Sequence, residues 1–401
     1  MLAGKLPESE IFREYFPSSI ALYIKSTLIT VNAMMNFKDD PRVVLTLDAG
    51  GTNMVFGAMK GGGFIVEPMT LPAHSDNLDL CLGTIVKGFR AVVSRLDSKP
   101  SAISFAFPGP ADYPNGIIGG YLPNFPSFRD GVALGPFLEK IFSVPVFINN
   151  DGDLFAYGEA IGGLLPEVND KLEMSGSSKR YRNLIGYTFG TGLGIGIVVN
   201  GQLNRGDNSC VETFCLPHRD DKDMIVEDGV AIKAIKRIYG ELSGNPAHKF
   251  EPKDIFGIAE DKMSGDKEAA KKTFAEIGAA AGDVMATAAS LIDGLIVIGG
   301  GVTASHKYFM PSLLEALRGK IHTFKGEETG RVQSEIYNLD EPEEFAVFAK
   351  GSQRKLKVYG FNDEVVYDPQ KRIGVAISKL GASKAISIGA YTFALDQLDR
   401  K

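Results

Sequence analysis

Residues 43–53 read VVLTLDAGGTN, an apolar run that ends in an aspartate and a pair of glycines. The β-branched and apolar residues 43–47 are typical of a buried strand. The glycines let the backbone approach a phosphate group closely, and the Asp48 carboxylate is a suitable ligand for hydrated magnesium. By itself the segment is equally consistent with a hairpin turn whose aspartate has no function. As a phosphate site, the turn would consist of Asp48 as the metal ligand together with Gly50, Gly51, Thr52 and Asn53.

Two further glycine-rich turns follow apolar strands later in the chain. Residues 190–196 read GTGLGIG, and alternating glycines leave one face of a hairpin without side chains. Such a face allows either a ligand or a second strand to approach the backbone closely. Residues 299–301 are three glycines after a strand, a place that suits the phosphate or adenosine of a nucleotide. The candidate cofactor-binding residues of these turns are Gly190, Thr191, Gly192, Gly299, Gly300 and Gly301.

The order of predicted elements indicates two similar halves. A strand, a glycine turn and a second strand open each half, which predicts a duplicated α/β architecture with a cleft between the halves. Residues 321–376 mix strand-like runs with charge, and their pattern assigns them no structure. The expected units are a helical extension at 1–40, a small lobe at 41–148 joined by a C-terminal helix at 384–401, and a large lobe at 149–383 that contains the insertion at 321–376.

Composition limits the classes of function. The chain has 401 residues, more than a single hydrophobic core usually spans. Its net charge of −6 argues against a nucleic-acid partner, because binding nucleic acid requires a basic face on the protein. Three cysteines are too few for a disulfide scaffold, and the N-terminus lacks a secretory signal pattern, so we expect a cytoplasmic protein. The apolar stretch at 19–35 contains Lys25 and polar residues, which predicts a packed helix and no membrane partner.

The three glycine turns, in this order, resemble the ROK family (repressors, open reading frames and sugar kinases), within the superfold of sugar kinases, heat-shock proteins and actin. The matching stretches run from about Leu45 to Val302, and residues 380–390 resemble the closing helix of the family. The resemblance implies a two-lobed, actin-like ATPase fold of the ribonuclease H-like type, a homodimer, ATP and Mg²⁺ as cofactors, and a hexose or N-acetylhexosamine as substrate. It also implies that the first two turns are paired phosphate loops and that the third lies near the adenosine.

Residues 146–151 read VFINND and put a carboxylate at the tip of a strand, just before a helix. A sugar hydroxyl is a poor nucleophile, and a positioned carboxylate can accept its proton while the phosphoryl group transfers. The Asn-Asp pair of the family falls on Asn150 and Asp151, so the resemblance implies that Asp151 is the general base and Asn150 a sugar contact. Aspartate at a strand-to-helix junction is often simply the N-cap, which remains the alternative for Asp151.

Further sugar contacts are also implied by the resemblance. Residues 122–126 resemble a sugar-side loop in which Asn124 would contact a hydroxyl, although asparagine beside proline is also an ordinary turn residue. Glu212 falls on a glutamate that contacts the sugar, with one residue missing before it. Glu227 would replace a second such glutamate, at a shortened spacing.

The chain departs from the family where structural zinc is expected. Cys215 occupies the position of a zinc-binding histidine, and the CxCGxxGC cluster is absent. Cys210, Cys215 and His218 would supply three ligands where structural zinc sites use four, so we do not expect structural zinc. The extension at 1–40 is short and not basic, unlike the DNA-binding domain of the repressor branch, so a helical arm or oligomer contact is the better interpretation.

Together these features predict ATP-dependent phosphorylation of a sugar at the C6 hydroxyl. One alternative is a sugar- or nucleotide-sensing protein without catalysis, and the other is an ATPase that acts on a protein partner. The sequence does not identify the sugar, because hexoses that differ at C2 are distinguished by pocket shape.

Overall fold

The computed structural model describes residues 37–109, 111–246 and 249–400. The predicted extension at 1–40, with its helix at 19–35, therefore lies outside the described residues, except for a short 3₁₀ turn at Phe37–Asp39. The limits proposed for the two lobes stay a prediction.

The first half of the chain forms a six-stranded sheet with strand order β3-β2-β1-β5-β8, in which β4 also pairs with β2. Strands β1 and β2 are antiparallel, whereas β1, β5 and β8 are mutually parallel. The predicted strand at residues 43–47 is β1, and all of its first four residues are buried. The strands of this half are β1 (Val44–Ala49), β2 (Asn53–Lys60), β3 (Gly63–Phe64), β4 (Met69–Pro72), β5 (Ala102–Ala106), the small β6 (Ala111–Asp112) and β7 (Ile117–Ile118), and β8 (Val146–Asn149).

The second half repeats this arrangement in a sheet of order β11-β10-β9-β12-β18-β15. An antiparallel pair, β9 and β10, again leads into parallel strands β12, β18 and β15. Two separate hairpins, β13–β14 and β16–β17, belong to neither large sheet. The strands of this half are β9 (Leu184–Phe189), β10 (Leu193–Val199), β11 (Gln202–Leu203), β12 (Leu295–Gly299), β13 (Lys320–His322), β14 (Glu328–Gly330), β15 (Glu335–Asn338), β16 (Arg354–Lys357), β17 (Glu364–Tyr367) and β18 (Arg372–Ile377).

Eleven helices of the described residues pack around the sheets. The first begins where Asn77 accepts a hydrogen bond from the amide of Leu80, as an N-cap does. The helices are α1 (Leu78–Val93), α2 (Leu134–Phe142), α3 (Asp151–Gly162), α4 (Leu164–Met174), α5 (Glu227–Val230), α6 (Ile232–Ser243), α7 (Pro252–Ala259), α8 (Lys267–Ile292), α9 (His306–Leu317), α10 (Pro342–Lys350) and α11 (Ala382–Asp399).

Helices α3 and α11 connect the two sheets. Helix α3 packs on β9 and β10 of the second sheet, while α11 packs on α3 and on β1 and β5 of the first. The two helices cross closely enough to require glycine, because a Cβ on Gly158 would lie 1.9 Å from the carbonyl oxygen of Ala385. The duplicated sheets and the connecting helices confirm the expected two-lobed, actin-like α/β fold.

Residues 321–376, which the sequence pattern left unassigned, contribute to the second lobe in two ways. Strands β15 and β18 extend the large sheet, and each is paired in parallel with a strand distant in sequence. The two hairpins lie on the surface, and every residue of their four strands is exposed.

Helix α8 belongs to the core of the second lobe. It is the one helix among the described residues whose length and apolar composition would let it cross a membrane, and more than half of its apolar window is buried inside the protein. Core helices share that composition, so this feature is weak support for a membrane span.

Candidate active site

The junction of β8 and α3 presents the predicted catalytic residues. Asn150 has extended backbone geometry and is the N-cap of α3, since its Oδ1 accepts a hydrogen bond of 2.7 Å from the Gly152 amide. Asp151 is the first residue of the helix and has an exposed side chain. The alternative assignment of Asp151 as the N-cap was therefore wrong, and Asn150 has that role. Capping by Asn150 leaves the Asp151 carboxylate available to a ligand.

The environment of Asp151 favours proton acceptance. Its side chain is accessible, but the surrounding protein withdraws it from bulk water and raises its pKa, an effect to which the nearby Asp48 charge adds. The Gly152 amide, which also donates to Asp151 Oδ1 at 2.9 Å, opposes that shift. A carboxylate with a raised pKa is a stronger base than an ordinary aspartate. The same coupling indicates that Asp48, near the end of β1, and Asp151, shortly after β8, are close enough for their charges to interact.

Tyr113 is a candidate site residue that the sequence did not reveal. Its hydroxyl donates a hydrogen bond of 2.9 Å to the carbonyl of Phe107, and its ring is buried. Burial raises the pKa of Tyr113, the Asp151 charge raises it further, and the nearby Asn150 side chain lowers it. Tyr113 therefore lies against the Asn150–Asp151 pair, although 37 residues separate it from Asn150 and no local motif marks it.

Glu212 is electrostatically coupled to the same carboxylates. Its side chain is half-buried, and burial raises its pKa to about 8, with added effects from the charges of Asp153, Asp151 and Glu227. A carboxyl group with that pKa is largely protonated at pH 7, so it can donate as well as accept a hydrogen bond. Glu212 is thus within electrostatic range of Asp151, and its role as a sugar ligand stays a prediction.

Arg205, Asn149 and Asp153 form a polar cluster next to Asp151 that links the two halves of the chain. The Arg205 Nη1 donates a hydrogen bond of 2.9 Å to Asn149 Oδ1 at the end of β8, and its guanidinium lies 5.3 Å from the ring centroid of Phe393 on α11. Asp153 is only 7% exposed, and burial raises its pKa to about 7, while the Arg205 charge acts in the opposite direction. An acidic residue two positions after Asp151 was a sequence signal that the motif-based reasoning did not use.

Glu227 lies behind the second glycine turn. Its Oε2 accepts a hydrogen bond of 3.1 Å from the Leu193 amide, and its Oε1 accepts one of 3.1 Å from Lys233 Nζ. A Cβ on Gly192 would lie 2.7 Å from the same Oε2, so the missing side chain there makes room for Glu227. The carboxylate already has two partners at the predicted phosphate loop, and its assignment as a sugar ligand stays a prediction.

The first glycine turn contacts the predicted sugar-side loop. A Cβ on Gly51 would lie 3.0 Å from both the Cβ and the carbonyl oxygen of Asn124, so the lack of a side chain lets the two segments meet. Asn124 itself is exposed, as are the Asp48 and Thr52 side chains. Withdrawal from water raises the pKa of Asp48. The accessible carboxylate of Asp48 fits a role as a magnesium ligand beside this turn.

The other two turns separate into packing glycines and open glycines. A Cβ on Gly196 would lie 2.2 Å from the Gly152 carbonyl oxygen, so this one of the alternating glycines makes room for helix α3. The sequence had suggested a ligand or a second strand at this face, and the close neighbour of Gly196 is a helix. Gly299 makes room for the ring of Phe155, and Gly300 has a φ of +99°. Gly190 and Gly301 have open space where a Cβ would stand, and this fits close approach of a nucleotide.

Among the described residues, Cys210, Cys215 and His218 do not come together in a group that could hold a metal ion. Cys210 and Cys215 are exposed free thiols. The Nδ1 of His218 accepts a hydrogen bond of 3.2 Å from the Asp220 amide, and its ring fills the space beside Gly229.

Comparisons with known proteins identify the family and the fold. A model described as the ROK family matches residues 44–332. The crystal structure of a glucokinase from Parabacteroides distasonis is 54% identical in sequence, with a TM-score of 0.84, and the match covers 90% of this chain and 99% of that one.

Two curated relatives match shorter segments. A glucokinase from Thermotoga maritima is 26% identical over 165 residues, which are 41% of this chain and 46% of the relative. A xylose repressor from Bacillus spizizenii is 32% identical over 136 residues, or 33% of this chain and 31% of the relative. The chain spans less than half the length of these two relatives. Since the family model covers well over half of the chain, this protein belongs to the ROK family.

Proposed function

We propose that this protein transfers the γ-phosphate of ATP to the C6 hydroxyl of a hexose or N-acetylhexosamine, with Asp151 as the general base. The observation that carries the proposal is the accessible Asp151 carboxylate, which has a raised pKa and lies beside Asn150, Tyr113 and Glu212. Membership of the ROK family and 54% identity to a glucokinase support an ATP-dependent sugar kinase.

The residues around Asp151 have the chemistry that a sugar requires. Asn150 and Asn124 have amide groups that donate to and accept from hydroxyls, and Glu212, with a pKa of about 8, can do both as well. With the sugar held by these side chains, Asp151 accepts the proton of the attacking hydroxyl. Bound MgATP supplies the phosphoryl group and neutralises its charge.

The glycine turns and Asp48 would hold the nucleotide. Gly190 and Gly301 leave open space for the phosphates and the adenosine, and the exposed Thr191 hydroxyl lies between Gly190 and Gly192. Asp48 would hold the hydrated magnesium ion beside the first turn. Closure of the lobes over both substrates would exclude water, which otherwise competes with the sugar as acceptor.

A cytoplasmic location is part of the same proposal. Cys81, Cys210 and Cys215 are all free thiols, which suits a reducing compartment in which ATP is available.

A non-catalytic sugar sensor is the second candidate, because a xylose repressor is among the relatives of this chain. The accessible base argues against it, since a sensor has no need of a carboxylate with a raised pKa at the sugar hydroxyl.

The experiment that tests the proposal measures product formation with MgATP and a panel of hexoses and N-acetylhexosamines, including a 6-deoxy analogue of each active sugar. We expect ADP and a sugar 6-phosphate in equal amounts, and no product from the 6-deoxy analogues. Tight sugar binding without any phosphorylated product would favour the sensor, and ADP release that is independent of every sugar would favour an ATPase with another acceptor.

A further inference from the structure

A groove of about 610 Å³ lies between the two halves of the chain. On the first half it is lined by the hairpin of β6 and β7 and the residues just after it, within 111–120. On the second half it is lined by the loop at 207–209. Its volume is in the range of sites for small ligands. None of the roles proposed above for the sugar or the nucleotide uses the residues that line it.

Both walls of the groove are anchored beside the candidate active site. The 3₁₀ turn Tyr113–Asn115 forms part of the first wall and packs against β8. On the second wall, Asp207 comes two residues after Arg205, whose Nη1 donates a hydrogen bond of 2.9 Å to Asn149 at the end of β8. Since β8 leads directly to Asp151, the groove is adjacent to the place proposed for the sugar.

The first wall also leads to the predicted sugar-side loop. Gly119 and Gly120 line the groove, and Tyr121 follows with 72% of its surface exposed, three residues before Asn124. The Arg129 guanidinium lies 5.7 Å from the centroid of the Tyr121 ring, and the Gly120 amide donates a hydrogen bond of 3.0 Å to the Arg129 carbonyl. An accessible aromatic ring between the groove and this loop offers an apolar face on which the C–H groups of a sugar ring can pack.

The lining of the groove suits a neutral ligand with many hydroxyl groups. Its polar residues are Asp112, Asn115, Asp207, Asn208 and Ser209, and no lysine or arginine is among the described residues that line it. Amide and hydroxyl groups donate and accept hydrogen bonds, as sugar hydroxyls do, and carboxylates accept them. The two carboxylates would repel a phosphate or another anion.

Part of this polar surface is fixed in position. The Asp112 carboxylate accepts hydrogen bonds of 3.3 Å from the Asn115 amide and 2.8 Å from Asn115 Nδ2, which hold the first wall in its turn. On the second wall, the side chains of Asp207 and Asn208 are exposed. A surface that is ordered before binding loses less conformational entropy when a ligand arrives.

We propose that the groove is a subsite for a second sugar unit. The preferred substrate is then a neutral disaccharide or related glycoside whose terminal hexose or N-acetylhexosamine is phosphorylated. This inference rests on the proposed function and names the substrate class of the same site. The acceptor ring lies at Asp151 and Asn124, and the second ring lies between Asn208 and Tyr121. The transfer itself is unchanged: the C6 oxygen bonds to the γ-phosphorus, ADP leaves, and the hydroxyl proton passes to Asp151.

The first test compares dissociation constants, measured by calorimetry, for pairs of sugars that share the same terminal ring. The pairs are glucose with maltose and with cellobiose, mannose with mannobiose, and N-acetylglucosamine with N,N′-diacetylchitobiose. We expect at least one disaccharide to bind about 10-fold more tightly than its monosaccharide, a gain that one or two further hydrogen bonds supply. A smaller gain in every pair would overturn the inference.

The second test changes the groove at an exposed position. Asn208→Leu replaces an amide with an apolar side chain of similar size, so we expect the disaccharide gain to fall by roughly 5-fold or more. The affinity for the monosaccharide should stay the same. Asn362→Leu, at an exposed position between β16 and β17, is the matched control and should keep the gain. An unchanged gain in Asn208→Leu, or an equal loss in Asn362→Leu, would overturn the groove as the subsite.

Product analysis with MgATP separates this inference from the proposed function. Phosphorylation at C6 of the terminal ring, with kcat/KM raised in parallel with affinity, supports both. Phosphorylation of monosaccharides without any disaccharide gain overturns the subsite alone. A disaccharide gain in binding without any phosphorylated product overturns the proposed function alone.

Discussion

Replacing Gly158 with alanine is expected to force helices α3 and α11 apart. The added Cβ would lie 1.9 Å from the Ala385 carbonyl oxygen, and real Cβ contacts are essentially never below 3.0 Å, so the helices must separate by at least the difference of 1.1 Å. The clash is with backbone, which cannot rotate away as a side chain can. On the other side of the same crossing, a Cβ on Gly389 would meet the Leu154 carbonyl at 1.9 Å. The crossing therefore has no room for an added Cβ on either helix.

The cost follows from overpacking. Inserting a methyl group into a tight core costs about 1–3 kcal/mol, and a clash with backbone instead of a side chain favours the upper end. The better helix propensity of alanine returns about 1 kcal/mol, which leaves a net loss of about 2 kcal/mol. At roughly 2 °C per kcal/mol for a large chain, Tm falls by about 4 °C. The turnover number should fall as well, because α3 carries Asp151 at its first residue.

The assay is denaturant unfolding and thermal melting of Gly158→Ala beside a matched control. Gly83 lies in helix α1, is exposed, and has no atom within 4 Å of the position of a Cβ. Gly83→Ala should therefore stabilise the chain by about 0.5–1 kcal/mol through helix propensity alone. If both substitutions raise the free energy of unfolding equally, the argument from the close crossing is refuted.

Three further predictions concern the site. The pKa of Asp153 is raised to about 7, so the folded chain loses stability as pH rises from about 4 to 7. This loss is at most roughly 4 kcal/mol. Asp153→Asn should remove it, as unfolding curves measured from pH 4 to 8 would show. Arg205→Met should extend the loss of stability above pH 7, because the Arg205 charge holds the pKa of Asp153 down, and an unchanged pH dependence would contradict this. It should also lower kcat/KM by roughly 10-fold to 100-fold, because the charged hydrogen bond to Asn149 is removed. Gly301→Ala should raise the KM for ATP without lowering Tm, whereas Gly300→Ala, at a φ of +99°, should lower Tm by several degrees.

The sequence predicted the elements whose signal is local. Residues 43–47 and 295–298 are short apolar runs that lead into glycine turns, and both lie in buried strands, β1 and β12. Strand β15 gave no comparable signal, because it is a short edge strand with only two buried residues. Strand β18 is almost wholly buried, but its short apolar run follows a segment rich in charge and was not assigned.

The candidate site could be predicted only where a motif carries it. Asn150 and Asp151 were singled out by their resemblance to the Asn-Asp pair of the family, at a strand-to-helix junction. Tyr113 and Arg205 come near them through the fold and have no local motif. The glycines show the converse problem. A glycine in the sequence signals close approach, but whether a ligand or a neighbouring residue approaches depends on packing, as Gly299 against Phe155 illustrates.

The most direct test of the account is phosphoryl transfer by Asp151→Asn, measured in a single turnover with MgATP and the preferred sugar, together with the binding affinity for each substrate. Asparagine keeps the size of the side chain at the first residue of α3 but cannot accept the proton. We expect the transfer rate to fall by about 10²–10⁴-fold while both substrates still bind. Transfer within tenfold of the native rate would contradict Asp151 as the base.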